Sequence, residues 1–169
     1  MSIGMFFLFQ LAILAYALLG GVFLAFSDFI MRALALTSGH GGVEAMQVIN
    51  REVFRWVFMI LFMGMAIMSL FLVGYGGFSM SGMAGTLIMA AGLMYLIGCF
   101  AVTVFFNVPM NEALAEMETT SEATRKYWMS TYVPRWTFWN WVRAIACSLA
   151  SALLMFGLLW MAQSSTQVA

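Results

Sequence analysis

Five side chains mark where this sequence could do chemistry: Asn50, Asn107, Asn111, Asn140 and Arg143. Each is an amide or guanidinium inside, or at the edge of, an apolar run. An amide can donate and accept at once, and a guanidinium donates through a rigid fork while keeping its charge. Together they could hold the oxygen atoms of a ligand and stabilise negative charge on one of them. Asn140 and Arg143 are three residues apart, so they share a helix face. Arg143 lies eight residues beyond Arg135, roughly 12 Å deeper along a helix. A charge at that depth faces a bundle interior, a partner or a water-filled cavity. Asp28, Glu52 and Glu112 are the counter-charges on offer, and His40 could serve as a general base. Trp136 and Trp139 stand beside Asn140, offering an aromatic wall suited to a flat polycyclic phenol or quinone, and Arg51 accompanies Asn50.

Other chemistries are poorly served. Cys99 and Cys147 lie in separate apolar runs and read as small buried hydrophobes. No clustered Cys/His set is visible, so zinc and iron–sulfur chemistry is disfavoured. The single histidine, His40, sits in a glycine-rich loop. The seventeen methionines read as adaptable apolar filler rather than a copper path. Pro109 between Asn107 and Asn111 should end or kink a helix, and the two amides could satisfy the freed carbonyls.

The elements that must position these groups are membrane spans. The 169 residues are 64% hydrophobic and 8% charged, against about 25% charged in soluble domains, and the mean hydropathy is +0.97. Zero net charge without a basic stripe argues against nucleic acid. Four runs are long enough to cross a bilayer, about 3–27, 53–75, 83–106 and 136–162. They lack the alternation of a β-barrel. The fold expected is therefore all-α, one domain over 1–169: a four-helix transmembrane bundle with short helical extensions on the cytoplasmic side. MQVINREVF should extend the second span outward, and a short helix should start after Ser121. The N-terminal run lacks a basic n-region and reads as a retained helix. All seven basic and all seven acidic residues fall at one end of the bundle. The positive-inside rule then puts that end in the cytoplasm and both termini outside, in the inner membrane if the source is bacterial. The glycine pairs Gly20–Gly21 and Gly76–Gly77 allow close helix contacts, within one chain or in a homo-oligomer.

FSDFIMRAL, MQVINREVF, NVPMNEAL and WTFWNWVR together resemble a family of small four-helix membrane proteins that includes the anthrone oxygenases. The resemblance implies oxidation of a tricyclic anthrone to an anthraquinone by O₂ without metal, haem or flavin. It makes Asn107, Asn111, Asn140 and Arg143 the catalytic candidates, with Arg143 stabilising enolate charge. Asp28 is a candidate base, and Trp136, Trp139, Asn50 and Arg51 would bind the substrate. Two non-catalytic readings stand beside this one: a binder of a lipophilic small molecule, or an accessory subunit docking a partner in a membrane complex. A cavity at Arg143 lined by Trp139 and the asparagines would favour an enzyme or binder. Polar groups bonded to one another without a cavity would favour the subunit.

Overall fold

A computed structural model describes residues 2–166. Among these, every regular element is helical: α1 (Ile3–Ala35), α2 (Gly41–Glu52), α3 (Val57–Ser79), α4 (Gly82–Ala115) and α5 (Glu122–Gln163). All but α2 are long and apolar enough to cross a bilayer, and the chain is a multi-pass membrane protein. Three of the expected spans lie inside longer helices, and the second, about 53–75, is shifted to Val57–Ser79, so the ends of hydropathy do not mark the ends of structure.

Local sequence explains the helix ends. Ser2 caps α1, accepting from the Met5 N–H at 3.3 Å. Ser121 caps α5, accepting from the Thr124 N–H at 3.1 Å, and the short helix expected after it runs on without a break into the fourth span. Gly82 opens α4 with φ +76°, a conformation that strains residues bearing a Cβ.

One expectation about the helices is corrected and another is narrowed. The segment MQVINREVF does not lengthen the second span. It forms α2, a separate helix that ends at Glu52, and Arg55 is extended at ψ 131° before α3 begins. Its amphipathic pattern explains this, because Val43, Met46, Gln47 and Asn50 are buried on one face against neighbouring helices rather than in lipid. Of the two outcomes expected at Pro109, an end or a kink, the helix does not end. The Val108 N–H bonds to the Thr103 carbonyl five residues back, and this wider turn over Thr103–Asn107 carries α4 through the proline. Pro134 sits likewise just beyond a wider turn, Trp128–Tyr132, where the Val133 N–H reaches Trp128. Both prolines of the chain are thus accommodated by one extra residue in the turn before them.

In the bundle, α5 packs along α1 and α4, and α3 packs on α4. The contact between α1 and α3 is thin, leaving a seam. Close approach of α3 and α4 depends on small residues: a Cβ on Gly76 would sit 2.6 Å from the Gly85 carbonyl, and one on Gly92 would sit 2.5 Å from that of Ser69. The membrane core is apolar, and its few polar groups are bonded. Tyr16 and Ser69 share a 2.7 Å hydrogen bond, and the Tyr95 hydroxyl donates to the Phe62 carbonyl at 2.8 Å. Cys99 and Cys147 are both fully buried in this core. A second core lies at the charged end, where Met31, Val43, Met46, Leu114, Trp128, Tyr132 and Trp136 pack together. It fixes α2 and the ends of α1, α4 and α5 as a cap over the bundle.

Candidate functional site

A cavity of about 450 Å³ lies between the bundle and this cap, with walls from all five helices. Its size falls in the range of about 300–1,000 Å³ typical of small-molecule sites. Phe23 and Phe26 of α1, Phe58 and Phe62 of α3 and Trp136 of α5 supply aromatic surface. Its polar side chains are Asn50, Glu52, Thr103, Asn111, Asn140 and Arg143.

Arg143 is buried and lines this space. One terminal nitrogen donates to Asn140 Oδ1, the other to Thr103 Oγ1 at 3.2 Å. Its guanidinium carbon is 4.4 Å from the centroid of Phe23 and 5.3 Å from that of Trp136, within reach of cation–π attraction. Its Nε has no hydrogen-bond partner among the described residues. The expected counter-charges do not meet it. Asp28 is exposed on α1, Glu112 is exposed on α4, and Glu52 pairs with Arg55 at 2.9 Å. The other ion pair among the described residues is Arg125–Glu122. Arg143 is therefore a buried cation held by neutral oxygens and ring faces. Such a charge carries a desolvation cost of several kcal/mol, and the field it projects into the cavity favours an anion.

The four asparagines divide by role. Asn140 is saturated: its amide nitrogen donates to the Phe23 carbonyl and to Ser27 Oγ, both at 2.6 Å, and its oxygen accepts from Arg143. It ties α1 to α5 and aims the guanidinium. Asn107 is buried outside the cavity lining and donates to the Trp136 carbonyl at 3.3 Å, joining α4 to α5. Asn107 Oδ1 has no hydrogen-bond partner among the described residues, but it is buried away from the cavity, whereas Asn111 and Asn50 each keep half an amide at the lining. Asn111 Oδ1 accepts from the Tyr132 hydroxyl and from Trp136 Nε1, both at 2.8 Å, which leaves its NH₂ as a donor. Asn50 donates to Tyr132 Oη at 3.3 Å, which leaves its carbonyl oxygen as an acceptor. Tyr132 binds the two together and is the hub that the sequence did not reveal.

The aromatic side chains also separate. Trp128, Tyr132 and Trp136 stack along α5, with centroid spacings of 5.2 and 6.2 Å, and the last of them faces the cavity. Trp139 does not. It stacks on Phe106 of α4 with centroids 3.7 Å apart. Arg51 and Asp28 are exposed and outside the lining, and His40 borders a separate cleft with Arg125 and Trp128. Thr103, Phe23, Phe58 and Phe62 belong to the lining without having been singled out, and Glu52, expected only as a counter-charge to Arg143, lines it too. Thr103 carried a legible signal, standing one and two turns before Asn107 and Asn111 on one face of α4.

No curated protein and no solved structure matches this chain. Among protein families, the anthrone oxygenase family matches residues 51–153. That stretch is more than half of the 169 residues and contains Asn107, Asn111, Trp136, Asn140 and Arg143. On this match and the architecture described above, the chain belongs to the anthrone oxygenase family.

Proposed function

We propose that this protein is a cofactor-independent oxygenase that takes a lipophilic, phenolic, anthrone-like compound into the cavity at Arg143. The observation that carries the reading is that buried, carboxylate-free guanidinium lining an aromatic-walled space. A flat ring system would lie among Trp136, Phe23, Phe58 and Phe62. Its ring oxygen would face Arg143, the Asn111 NH₂ would donate to a second oxygen, and the Asn50 carbonyl would accept from a phenol hydroxyl. Loss of a proton from the ring methylene makes an enolate, whose charge Arg143 stabilises. The enolate carbon adds O₂ to form a C–O bond. The resulting hydroperoxide loses the second methylene proton, its O–O bond breaks, and quinone and water leave. The ring carbon is oxidised and O₂ is the oxidant, so the atoms balance. Asn140 and Asn107 act in this scheme as positioning residues.

The same cavity supports a second reading, a binder of such a compound without chemistry. The accessory-subunit reading is less well supported, because the polar groups surround an open cavity instead of filling it. For orientation, the cap and cavity belong on the cytoplasmic side and both termini outside, from the one-sided basic residues.

Protein purified in detergent should oxidise a dihydroxyanthrone faster than buffer does, measured as O₂ consumption and quinone absorbance. Replacing Arg143 by Gln should lower the rate by about 10²–10³-fold, the usual loss on removing an oxyanion donor. Quinone binding without acceleration would favour the binder. An unchanged rate in the Arg143→Gln protein would remove the assigned site.

A further inference from the structure

We infer that Glu52 is the general base of this site, an assignment that rests on the oxygenase reading above. Among the described residues, the charged side chains of the cavity lining are two, Arg143 and Glu52. Arg143 is a cation and serves the negative charge, so the proton has one carboxylate to go to. Glu52 stands at the last residue of α2, two positions beyond Asn50 and next to Val53 and Phe54 of the same wall. Its side chain is 49% exposed, and Arg55 Nε holds one of its oxygens at 2.9 Å. Glu52 therefore borders both the cavity and the aqueous rim. It is anchored by an arginine that is itself 74% exposed, while Arg143 lines the same cavity from α5.

That placement suits a base that must take a proton and pass it on. The methylene C–H bond breaks, an O–H bond forms on the Glu52 carboxylate, and the electron pair delocalises onto the ring oxygen facing Arg143. After O₂ adds, Glu52 returns the proton to the peroxide oxygen. It then removes the second methylene proton as the O–O bond breaks and hydroxide leaves, and the proton it gained joins hydroxide as water. Glu52 ends as it began, with O₂ the only co-reactant. The separation of acid–base group from charge stabiliser also matches the architecture, since α2 carries the first and α5 the second.

Proton removal can be read apart from oxidation. Full-length protein in detergent is mixed anaerobically with a dihydroxyanthrone in D₂O, and deuterium uptake at the ring methylene is followed by NMR. Binding of the corresponding dihydroxyanthraquinone is followed by tryptophan quenching. Wild type should speed exchange over buffer. Glu52→Gln should lower both exchange and aerobic turnover by about 10²–10⁴-fold while binding the quinone like wild type, and Glu52→Asp should recover part of the exchange. Exchange by Glu52→Gln at the wild-type rate would overturn the assignment and leave the oxygenase reading standing. Loss of quinone binding in Glu52→Gln along with exchange would also overturn it, making Glu52 a ligand-holding residue. Wild type that neither binds the quinone nor speeds exchange would overturn the oxygenase reading, and the base with it.

Discussion

At the scale of single residues, the site is a division of labour among groups of similar type. Arg143 and the asparagines were legible because polar side chains at one depth of an apolar bundle are costly unless they meet. What each amide does was not legible, because it depends on which half of the amide is already used. Asn140 spends both ends inside the protein, whereas Asn111 and Asn50 each keep one. Replacing Asn140 by Asp should separate these roles. The isosteric carboxylate would pair with Arg143 and neutralise it toward the ligand, so oxidation should fall more steeply than the melting temperature, which drops because a carboxylate cannot donate to the Phe23 carbonyl. Asn140→Ala should lower the melting temperature further, since it takes the partner from one guanidinium nitrogen, the Phe23 carbonyl and Ser27 Oγ, at about 1–3 kcal/mol for each unsatisfied group. Arg143→Lys should not restore activity, because an ammonium cannot bond Asn140 and Thr103 while lying over two rings. Trp139 shows the limit of sequence reading at this scale. It flanks Asn140 in the chain, but its ring turns toward Phe106, and only the partner helix decides that.

At the scale of elements, the wider turns before Pro109 and Pro134 shape the site. Each inserts one residue into a helix and rotates the residues beyond it. Asn107 closes one such turn and Tyr132 closes the other, and these residues tie α4 to α5 and to α2. The sequence marked both places by proline, yet proline alone reads as a break. That the helices continue is a tertiary effect, since the bundle and the cap grip both sides. The close contact of α3 with α4 is a second element-scale feature, anticipated from the small residues near Gly76. Gly92→Ala places its Cβ against the Ser69 carbonyl and should destabilise the protein by about 1–3 kcal/mol. Gly64→Ala meets nothing within 4 Å and should melt like wild type.

At the scale of the whole molecule, composition alone identified lipid as the main solvent, and the count of four spanning helices came from run length. The cap was only partly visible. Its helical pattern could be read, but its position over the bundle could not, because the second core is assembled from residues scattered between Met31 and Trp136. The consequence is a site roofed by α2 with the half-exposed Glu52 at its rim, and a separate apolar groove along the seam between α1 and α3. If the rim is cytoplasmic, a cysteine introduced at Gly39 should resist a membrane-impermeant maleimide in intact cells and react after lysis. One introduced at Ser2 should react in both. The reverse pattern would invert the topology.

Ionisation of a bound ligand tests most directly whether the cavity holds the anionic form of a phenolic ring compound against Arg143. Hydroxyanthraquinones change colour when a phenol ionises, so the transition can be tracked by absorbance as pH is raised, with and without protein. Bound to wild type, the phenol should ionise at a pH lower by one unit or more, which corresponds to about 1.4 kcal/mol of preference for the anion per unit. In Arg143→Gln the shift should vanish or reverse. A quinone that binds wild type yet ionises at the same pH as in detergent alone would contradict the account.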